Sequence, residues 1–180
     1  MIKIPTLLKS ILTTLFLSFF FIAPLNAEVF SDYRLGTGDK ISVKVFGEEE
    51  LSSEFTLSDA GTISYPFLGE ITALDITIGE LTRLLINRLS DGYLINPSIN
   101  IEVIAYREFY INGEVKTPGA YPYQPGLTLQ KAVALAGGFS ERASSSKIYV
   151  LSDGEAKRKK IKNGHKILPG DVITVDESFF

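Results

Sequence analysis

The chain has 180 residues, a formal net charge of −3, no cysteine and a single histidine. This length is enough for one or two small domains, whose cores must be held by packing without disulfide bonds. A zinc site built from histidine and cysteine is excluded, because one histidine cannot supply the ligands. The acidic balance gives no indication of a nucleic-acid partner.

Residues 1–27 are predicted to be a cleaved secretory signal peptide. Lys3 and Lys9 give a basic start, residues 11–22 are apolar apart from Thr and Ser, and Ala27 is a small residue suited to cleavage. The apolar stretch has 12 residues. A spanning helix needs about 20, so cleavage is favoured over an uncleaved anchor. Removal leaves 153 residues with 16 basic and 21 acidic side chains.

Residues 29–105 are predicted to form a first module that contains both strands and a helix. Apolar and polar residues alternate over residues 41–45 and again over residues 99–103, which predicts two strands with one buried face each. A turn sequence at residues 58–61 precedes a further short strand at residues 62–65. The first module is therefore predicted to contain at least three strands.

The helix of this module is predicted from its cap and its apolar face. Thr77 and Glu80 have the spacing of a capping box, in which each side chain binds the backbone amide of the other. The helix is predicted to end near Asp91. Its apolar face comprises Leu81, Leu84, Leu85 and Leu89.

Residues 106–176 are predicted to form a second module, which begins with a strand near Phe109. Thr117, Pro118 and Gly119 then predict a tight turn, because proline fixes φ and glycine accepts a positive φ. In this interpretation Gly119 occupies the position that needs φ > 0. A second short strand follows the turn.

A helix is predicted after that strand. Thr128 is placed to cap it, and Gly137 or Gly138 is placed to end it in the left-handed conformation. The residues predicted to share its buried face are Leu129, Ala132, Val133 and Ala136.

A Gly-Asp turn occurs twice, as Gly38-Asp39 before Lys-Ile-Ser-Val and as Gly170-Asp171 before Val-Ile-Thr-Val. The glycine is predicted to take an unusual φ, and the aspartate to hydrogen-bond neighbouring backbone. The two aspartates could instead form a catalytic pair. Since each belongs to a turn of its own, a structural role is favoured, and the repetition indicates two related modules.

The sequence offers no constellation for catalysis, cofactor binding or metal binding. His165 follows a turn signal and is predicted to be solvated. The acidic residues 48–50 are favoured as a solvated loop over a pair of glycosidase acids. Residues 36–38 are too short for a phosphate-binding loop. We therefore expect no enzyme and no cofactor.

Each module contains residue patterns that are typical of a known domain. From Phe109 the chain reads Phe-Tyr-Ile-Asn-Gly-Glu-Val-Lys-Thr-Pro-Gly-Ala-Tyr and later Ala-Gly-Gly-Phe, which resembles the SLBB (soluble ligand-binding β-grasp) domain. Residues 33–39 and 92–97 read Tyr-Arg-Leu-Gly-Thr-Gly-Asp and Gly-Tyr-Leu-Ile-Asn-Pro, which resemble the polysaccharide export domain that precedes the SLBB domain in the outer-membrane polysaccharide export family. The resemblance implies an α+β fold of two small modules, with the β-grasp domain at the C-terminal end.

The resemblance also implies a function and partners. The expected function is a non-enzymatic component of a polysaccharide export channel in a Gram-negative bacterium. The implied partners are polysaccharide, further copies of the chain in a ring, an inner-membrane synthesis or co-polymerase complex, and a separate outer-membrane porin. The alternative is a periplasmic carbohydrate-binding or tethering module that does not conduct polymer. Oligomeric state would distinguish the two, because a conduit needs a closed ring.

Long members of the family carry a lipidated cysteine and a C-terminal pore helix. This chain has no cysteine, and five residues follow Val175. It is therefore expected to be a short member, located in the periplasm and associated with the outer membrane through its partners.

Two sets of side chains are candidates for contact with polymer. One is the basic run Lys157, Arg158, Lys159 and Lys160 with Lys162, which is predicted to be a strand of an exposed hairpin. It could contact an anionic polysaccharide or an acidic partner, but a charged edge that prevents aggregation is favoured. The other set could stack on sugar rings, although core or interface positions are favoured for it: Tyr106, Phe109, Tyr110, Tyr121 and Tyr123.

Overall fold

The computed structural model describes residues 32–178, so the predicted signal peptide lies outside the described residues. Within them, one hydrophobic core extends from Leu35 to Ile101 and another from Phe109 to Val175. Each core combines residues from a helix with residues from a β-sheet. The predicted α+β fold with two modules is confirmed, and we call these the N-terminal and C-terminal modules.

The N-terminal module has a three-stranded antiparallel sheet, a separate hairpin and one helix. The sheet order is β2-β1-β5, and β1 lies in the centre because its alternate residues Ile41, Val43 and Val45 are buried. The hairpin pairs β3 with β4. The elements are β1 (Lys40–Val45), a 3₁₀ turn (Glu49–Leu51), β2 (Ser53–Thr56), β3 (Thr62–Tyr65), β4 (Gly69–Thr72), α1 (Ile78–Ser90) and β5 (Ile99–Ala105).

Helix α1 has the predicted capping box. The Glu80 carboxylate accepts a hydrogen bond from the Thr77 amide at 2.7 Å, and the Thr77 hydroxyl accepts one from the Glu80 amide at 3.2 Å. Asp91 follows the last residue of the helix, as predicted. The predicted apolar face packs on the sheet, with Leu81, Leu85 and Leu89 buried and Leu84 partly buried.

The C-terminal module is a five-stranded mixed sheet with a helix contributing to the same core. Its order is β7-β6-β10-β8-β9; β6 and β10 are parallel, and the other neighbours are antiparallel. The last strand in the chain therefore lies in the middle of the sheet. The elements are β6 (Phe109–Gly113), β7 (Gly119–Tyr121), α2 (Leu129–Leu135), β8 (Ala143–Leu151), β9 (Lys159–Lys160) and β10 (Val172–Glu177).

Helix α2 begins and ends where the sequence predicts. Thr128 is its N-cap residue, but the hydroxyl makes no capping hydrogen bond; the first helical amide, that of Leu129, donates instead to the backbone of His165 at 2.9 Å. Gly137 and Gly138 both have left-handed backbone, with φ of 78° and 94°. The predicted buried face is confirmed for Leu129, Ala132, Val133 and Ala136.

The prediction for Gly119 is wrong. Gly119 does not have positive φ; it starts β7 and pairs with Ile111 in the sheet. The left-handed residue is Gly113, at φ 82°, so the reversal begins before the Thr-Pro-Gly segment and Pro118 precedes the returning strand. The amides of residues 116–117 donate to the carbonyls of Gly138 and Ala136, just after α2. The conformation of this loop is therefore held by residues that are not part of it.

The two caps provide a matched test. Replacing Thr77 with alanine removes the hydroxyl of the capping box, and we expect a loss of about 1–2 kcal/mol of unfolding free energy. Replacing Thr128 with alanine removes no capping hydrogen bond, and we expect a loss below about 0.5 kcal/mol. Urea denaturation followed by far-UV circular dichroism measures both. Equal losses in the two variants would contradict the assignment.

Candidate functional site at the module junction and the basic edge

The two Gly-Asp turns have the same geometry. Gly38 and Gly170 have φ of 88° and 85°, as predicted. Asp39 and Asp171 are both buried, and each accepts a hydrogen bond from the amide three residues before it, at 2.7 and 2.8 Å. These bonds hold each carboxylate within its own turn. The arrangement supports the structural interpretation of the four residues.

The repetition extends from the turns to the helices. Arg34, just before the first turn, forms an antiparallel bridge with Thr77, the N-cap residue of α1. Lys166 forms the equivalent bridge with Thr128, the N-cap residue of α2. Each module therefore contains a bridge to a helix cap, a Gly-Asp turn and a central strand. In the N-terminal module the turn precedes the helix, and in the C-terminal module it follows the helix.

Asp39 also joins the two modules. Its Oδ1 accepts a hydrogen bond from the Arg107 amide at 2.8 Å, and its Oδ2 accepts from Arg107 Nη1 at 3.1 Å and from the Tyr33 hydroxyl at 2.5 Å. On its other side the Arg107 guanidinium lies 3.4 Å from the carboxylate of Asp153, in the C-terminal module. One cation thus bridges acids of both modules. We call Tyr33, Asp39, Arg107 and Asp153 the Arg107 cluster.

Space for the guanidinium depends on a glycine. A Cβ on Gly36 would lie 2.0 Å from Arg107 Nη1, so no side chain fits there while Arg107 occupies this position. The Tyr33 phenol is also part of the arrangement, because burial and its hydrogen bond to Asp39 raise its pKa above the usual range. Tyr33 is therefore a neutral hydrogen-bond donor to the buried carboxylate. The sequence interpretation did not identify Tyr33, Gly36 or Arg107.

Three tyrosines pack edge to face beside this cluster. The ring centroids of Tyr33 and Tyr106 are 5.0 Å apart, and those of Tyr106 and Tyr123 are 5.3 Å apart. The row links the start of the N-terminal module to the C-terminal module. Tyr106 and Tyr123, which were considered for sugar stacking, therefore pack at the junction within one chain. The remaining three are a buried core residue (Phe109), a ring stacked on it (Tyr121) and a side chain 47% exposed (Tyr110).

A cleft of about 480 Å³ opens next to the cluster. Its lining includes four carboxylates, together with the side chains of Tyr33, Tyr123, Arg34 and Arg107. Burial raises the pKa of Asp171 above its usual range. A cleft with several carboxylates favours hydroxyl groups, which can donate to them, and disfavours anions. The four carboxylates are Asp32, Asp75, Asp153 and Asp171.

The basic run lies on a positively charged surface, in contrast to the acidic lining of the cleft. Strand β9 is the edge of the five-stranded sheet, with Lys159 opposite Val150 and Lys160 opposite Tyr149. The side chains of residues 157–160 and of Lys162 are exposed. The predicted exposed edge strand is confirmed for Lys159–Lys160, while Lys157, Arg158 and Lys162 are exposed beside it. Contact with polymer or partner stays a prediction.

The basic side chains of this edge divide into two groups. Arg158 lies 4.3 Å above the ring of Tyr149 and 3.8 Å from the carboxylate of Asp176. Lys159 pairs with Glu155 at 2.6 Å. Over residues 32–178, no ion pair within 4.0 Å is formed by the other three cations, which are Lys157, Lys160 and Lys162.

The remaining candidates for chemistry are His165 and the acidic residues 48–50. His165 is exposed in a turn, and residues 48–50 are exposed in a loop and a 3₁₀ turn. In the part of the chain that the structure describes, no three His, Cys, Asp or Glu side chains are grouped so that they could hold a metal ion. Among the same residues, no helix has the length and apolarity needed to cross a bilayer.

Comparison with known families agrees with this architecture. Residues 27–104 match the family model described as polysaccharide biosynthesis/export protein, and residues 109–162 match that of the SLBB domain. The two matches occur in the order that the fold shows. The chain belongs to the outer-membrane polysaccharide export family.

Individual relatives are similar over most of this chain. The exopolysaccharide production protein ExoF of Rhizobium meliloti (strain 1021) is 33% identical over 140 residues, covering 69% of this chain and 33% of ExoF. The EPS I polysaccharide export outer membrane protein EpsA of Ralstonia nicotianae is 29% identical, covering 74% of this chain and 41% of EpsA. The polysialic acid transport protein KpsD of Escherichia coli is 23% identical, covering 72% of this chain and 24% of KpsD. The chain spans about a quarter to two fifths of these relatives.

Proposed function

We propose that this chain is a component of a polysaccharide export channel and helps to pass exopolysaccharide or capsule polymer toward the outer membrane without catalysing a reaction. The observation that carries the proposal is the presence of both family modules in family order. The Arg107 cluster supports it further, because a buried ion pair ties the two modules together within one subunit. The named relatives are described as polysaccharide production, export or transport proteins.

In this proposal several copies of the chain form a ring in the periplasm, and the polymer passes along its axis. The ring would lie between an inner-membrane synthesis complex and a separate outer-membrane porin. EpsA of Ralstonia nicotianae is described as an outer membrane export protein, which supports a position near that membrane. A closed ring requires the same head-to-tail contact between every pair of neighbours.

Deletion of the gene tests the proposal. We expect extracellular polysaccharide to fall strongly, because the polymer loses its path, whereas synthesis of the repeating unit should continue. Extracellular and cell-associated polymer should be measured separately after the same growth. A plasmid copy of the wild-type gene should restore export.

The Thr128→Ala variant is a suitable folded control in the complementation, since its side chain makes no capping hydrogen bond. Unchanged extracellular polymer in the deletion strain, in a background without a second copy of such a gene, would refute the proposed function. Loss of repeating-unit synthesis would instead indicate an enzymatic role.

A further inference from the structure

The cations of this chain are concentrated at one place. Residues 156–170 contain six of its 18 Lys and Arg side chains and no Asp or Glu, although the whole chain is acidic. An exposed group of like charges on an otherwise acidic protein produces a local positive potential that attracts anions. This segment includes β9 and continues past it.

The sheet geometry places two of these cations side by side. Lys160 is opposite Tyr149, whereas the neighbouring Ile161 is buried and its amide continues the ladder to the carbonyl of Ile148 at 2.9 Å. Side chains alternate between the faces of a strand, so Lys160 and Lys162 point to the same outer side. They are spaced by about 7 Å along the chain, since each residue advances about 3.3 Å.

A bulge in β8 forms the facing wall. Between its paired positions Ile148 and Ala143, β8 advances five residues, while β10 advances only two, from Val175 to Glu177. The extra residues of β8 are displaced from the β10 ladder, and bulges of this kind redirect side chains. They include Ser145 and Ser146, both of which are exposed.

The bulge and the basic segment enclose an open-sided pocket of about 510 Å³, which we call the edge pocket. It is lined by Ser145, Ser146, Lys160, Ile161, Lys162 and Asn163. The lining has ammonium, hydroxyl and amide donors and no carboxylate. Lys160 and Lys162 are two of the edge cations that form no ion pair over residues 32–178, whereas Arg158 and Lys159 have acidic partners nearby.

We propose that the edge pocket binds a carboxylate-bearing sugar unit of an acidic polysaccharide, with Lys160 and Lys162 on the carboxylate and Ser145, Ser146 and Asn163 on hydroxyls. This inference rests on the proposed function and specifies the chemical class of the polymer. The acidic junction cleft, with its four carboxylates, is unsuited to the same ligand. The chain thus separates the surface that attracts an anion from the surface that repels one.

The test is binding of fluorescently labelled oligogalacturonate to the purified full chain, measured by anisotropy at low salt. The Lys160→Gln/Lys162→Gln variant should bind roughly tenfold more weakly, since two exposed charge contacts are lost. Ser145→Ala/Ser146→Ala should weaken binding less. Thermal melts should show that each variant is folded.

Lys44→Gln/Lys116→Gln is the matched control, because it removes two exposed lysines that do not line the edge pocket. Its binding should equal that of the wild type, and neutral dextran should not compete. Unchanged binding by the Lys160/Lys162 variant, an equal loss in the control, or competition by dextran would overturn the inference. Wild-type binding by that variant with loss of export in cells would indicate an acidic protein partner instead. The deletion assay measures export separately, so either proposal can fail while the other stands.

Discussion

Replacing Asp39 with alanine is expected to lower the unfolding free energy by about 3–5 kcal/mol, because the largely buried Arg107 cation loses its buried partner and keeps only the exposed carboxylate of Asp153. Asp39 is fully buried and accepts hydrogen bonds from the Gly36 amide, the Tyr33 hydroxyl, and both the amide and guanidinium of Arg107. All of these donors lose their acceptor in the variant. Urea denaturation at neutral pH measures the loss.

Asp153→Ala is the control for this experiment. Its carboxylate contacts the same guanidinium at 3.4 Å, but its side chain is 58% exposed. Exposed ion pairs contribute less than about 1 kcal/mol, so we expect a small effect. If Asp39→Ala were no more destabilising than Asp153→Ala, the Arg107 cluster would not be the contact that joins the modules.

Replacing Gly113 with valine is expected to disrupt the C-terminal module at a cost of about 2–5 kcal/mol, from left-handed backbone strain and overpacking together. Gly113 has φ of 82°, and a Cβ there would lie 2.1 Å from the backbone oxygen of Val175. That oxygen belongs to β10, the parallel neighbour of β6, and it accepts a hydrogen bond from the Glu114 amide at 2.9 Å. The neighbouring strand therefore has to move.

Gly119→Val is the matched substitution. Gly119 lies in a short edge strand without positive φ, and the nearest atom to its Cβ position is 3.9 Å away. We expect a change within about 0.5 kcal/mol, as for most surface substitutions. Melting temperatures of the two variants, measured side by side, provide the comparison. A larger loss for Gly119→Val than for Gly113→Val would show that the turn had been assigned correctly from the sequence and incorrectly from the structure.

These cases show which parts of the fold are predictable from local sequence. Helix α1 was predicted from its cap to its end, because Thr77 and Glu80 interact within one turn and the leucines repeat at helical spacing. The Gly-Asp turns were predicted for the same reason, since each aspartate binds an amide three residues away. The error at Gly119 arose because its loop is held by the end of α2, a contact that the Thr-Pro-Gly sequence does not encode.

The candidate sites were harder to predict because their residues are distant in sequence. Asp39 and Arg107 are separated by 68 positions, and nothing in the spacing of either residue indicates the other. The role of Gly36 could not be predicted from the sequence, because its backbone does not need glycine. Its lack of a side chain leaves room for Arg107, which is distant in sequence. The basic edge was visible as a charge run, but the edge pocket requires the bulge in β8, which depends on its register with β10.

The position of β10 has a consequence for the order of folding. In the N-terminal module β1 pairs with β5, so this sheet is complete once Ala105 has been synthesised. In the C-terminal module the central strand is residues 172–177, and both β6 and β8 pair with it. The β6–β10 pairs lie 62 positions apart, as from Tyr110 to Val172, which is within the range of the β1–β5 pairs, so loop-closure entropy does not distinguish the two sheets. The difference lies in the order in which their strands become available. Because the N-terminal part of the chain becomes available first, the first module can fold early. Strands β6 and β8 of the second sheet can pair with their common neighbour only when residues 172–177 are present.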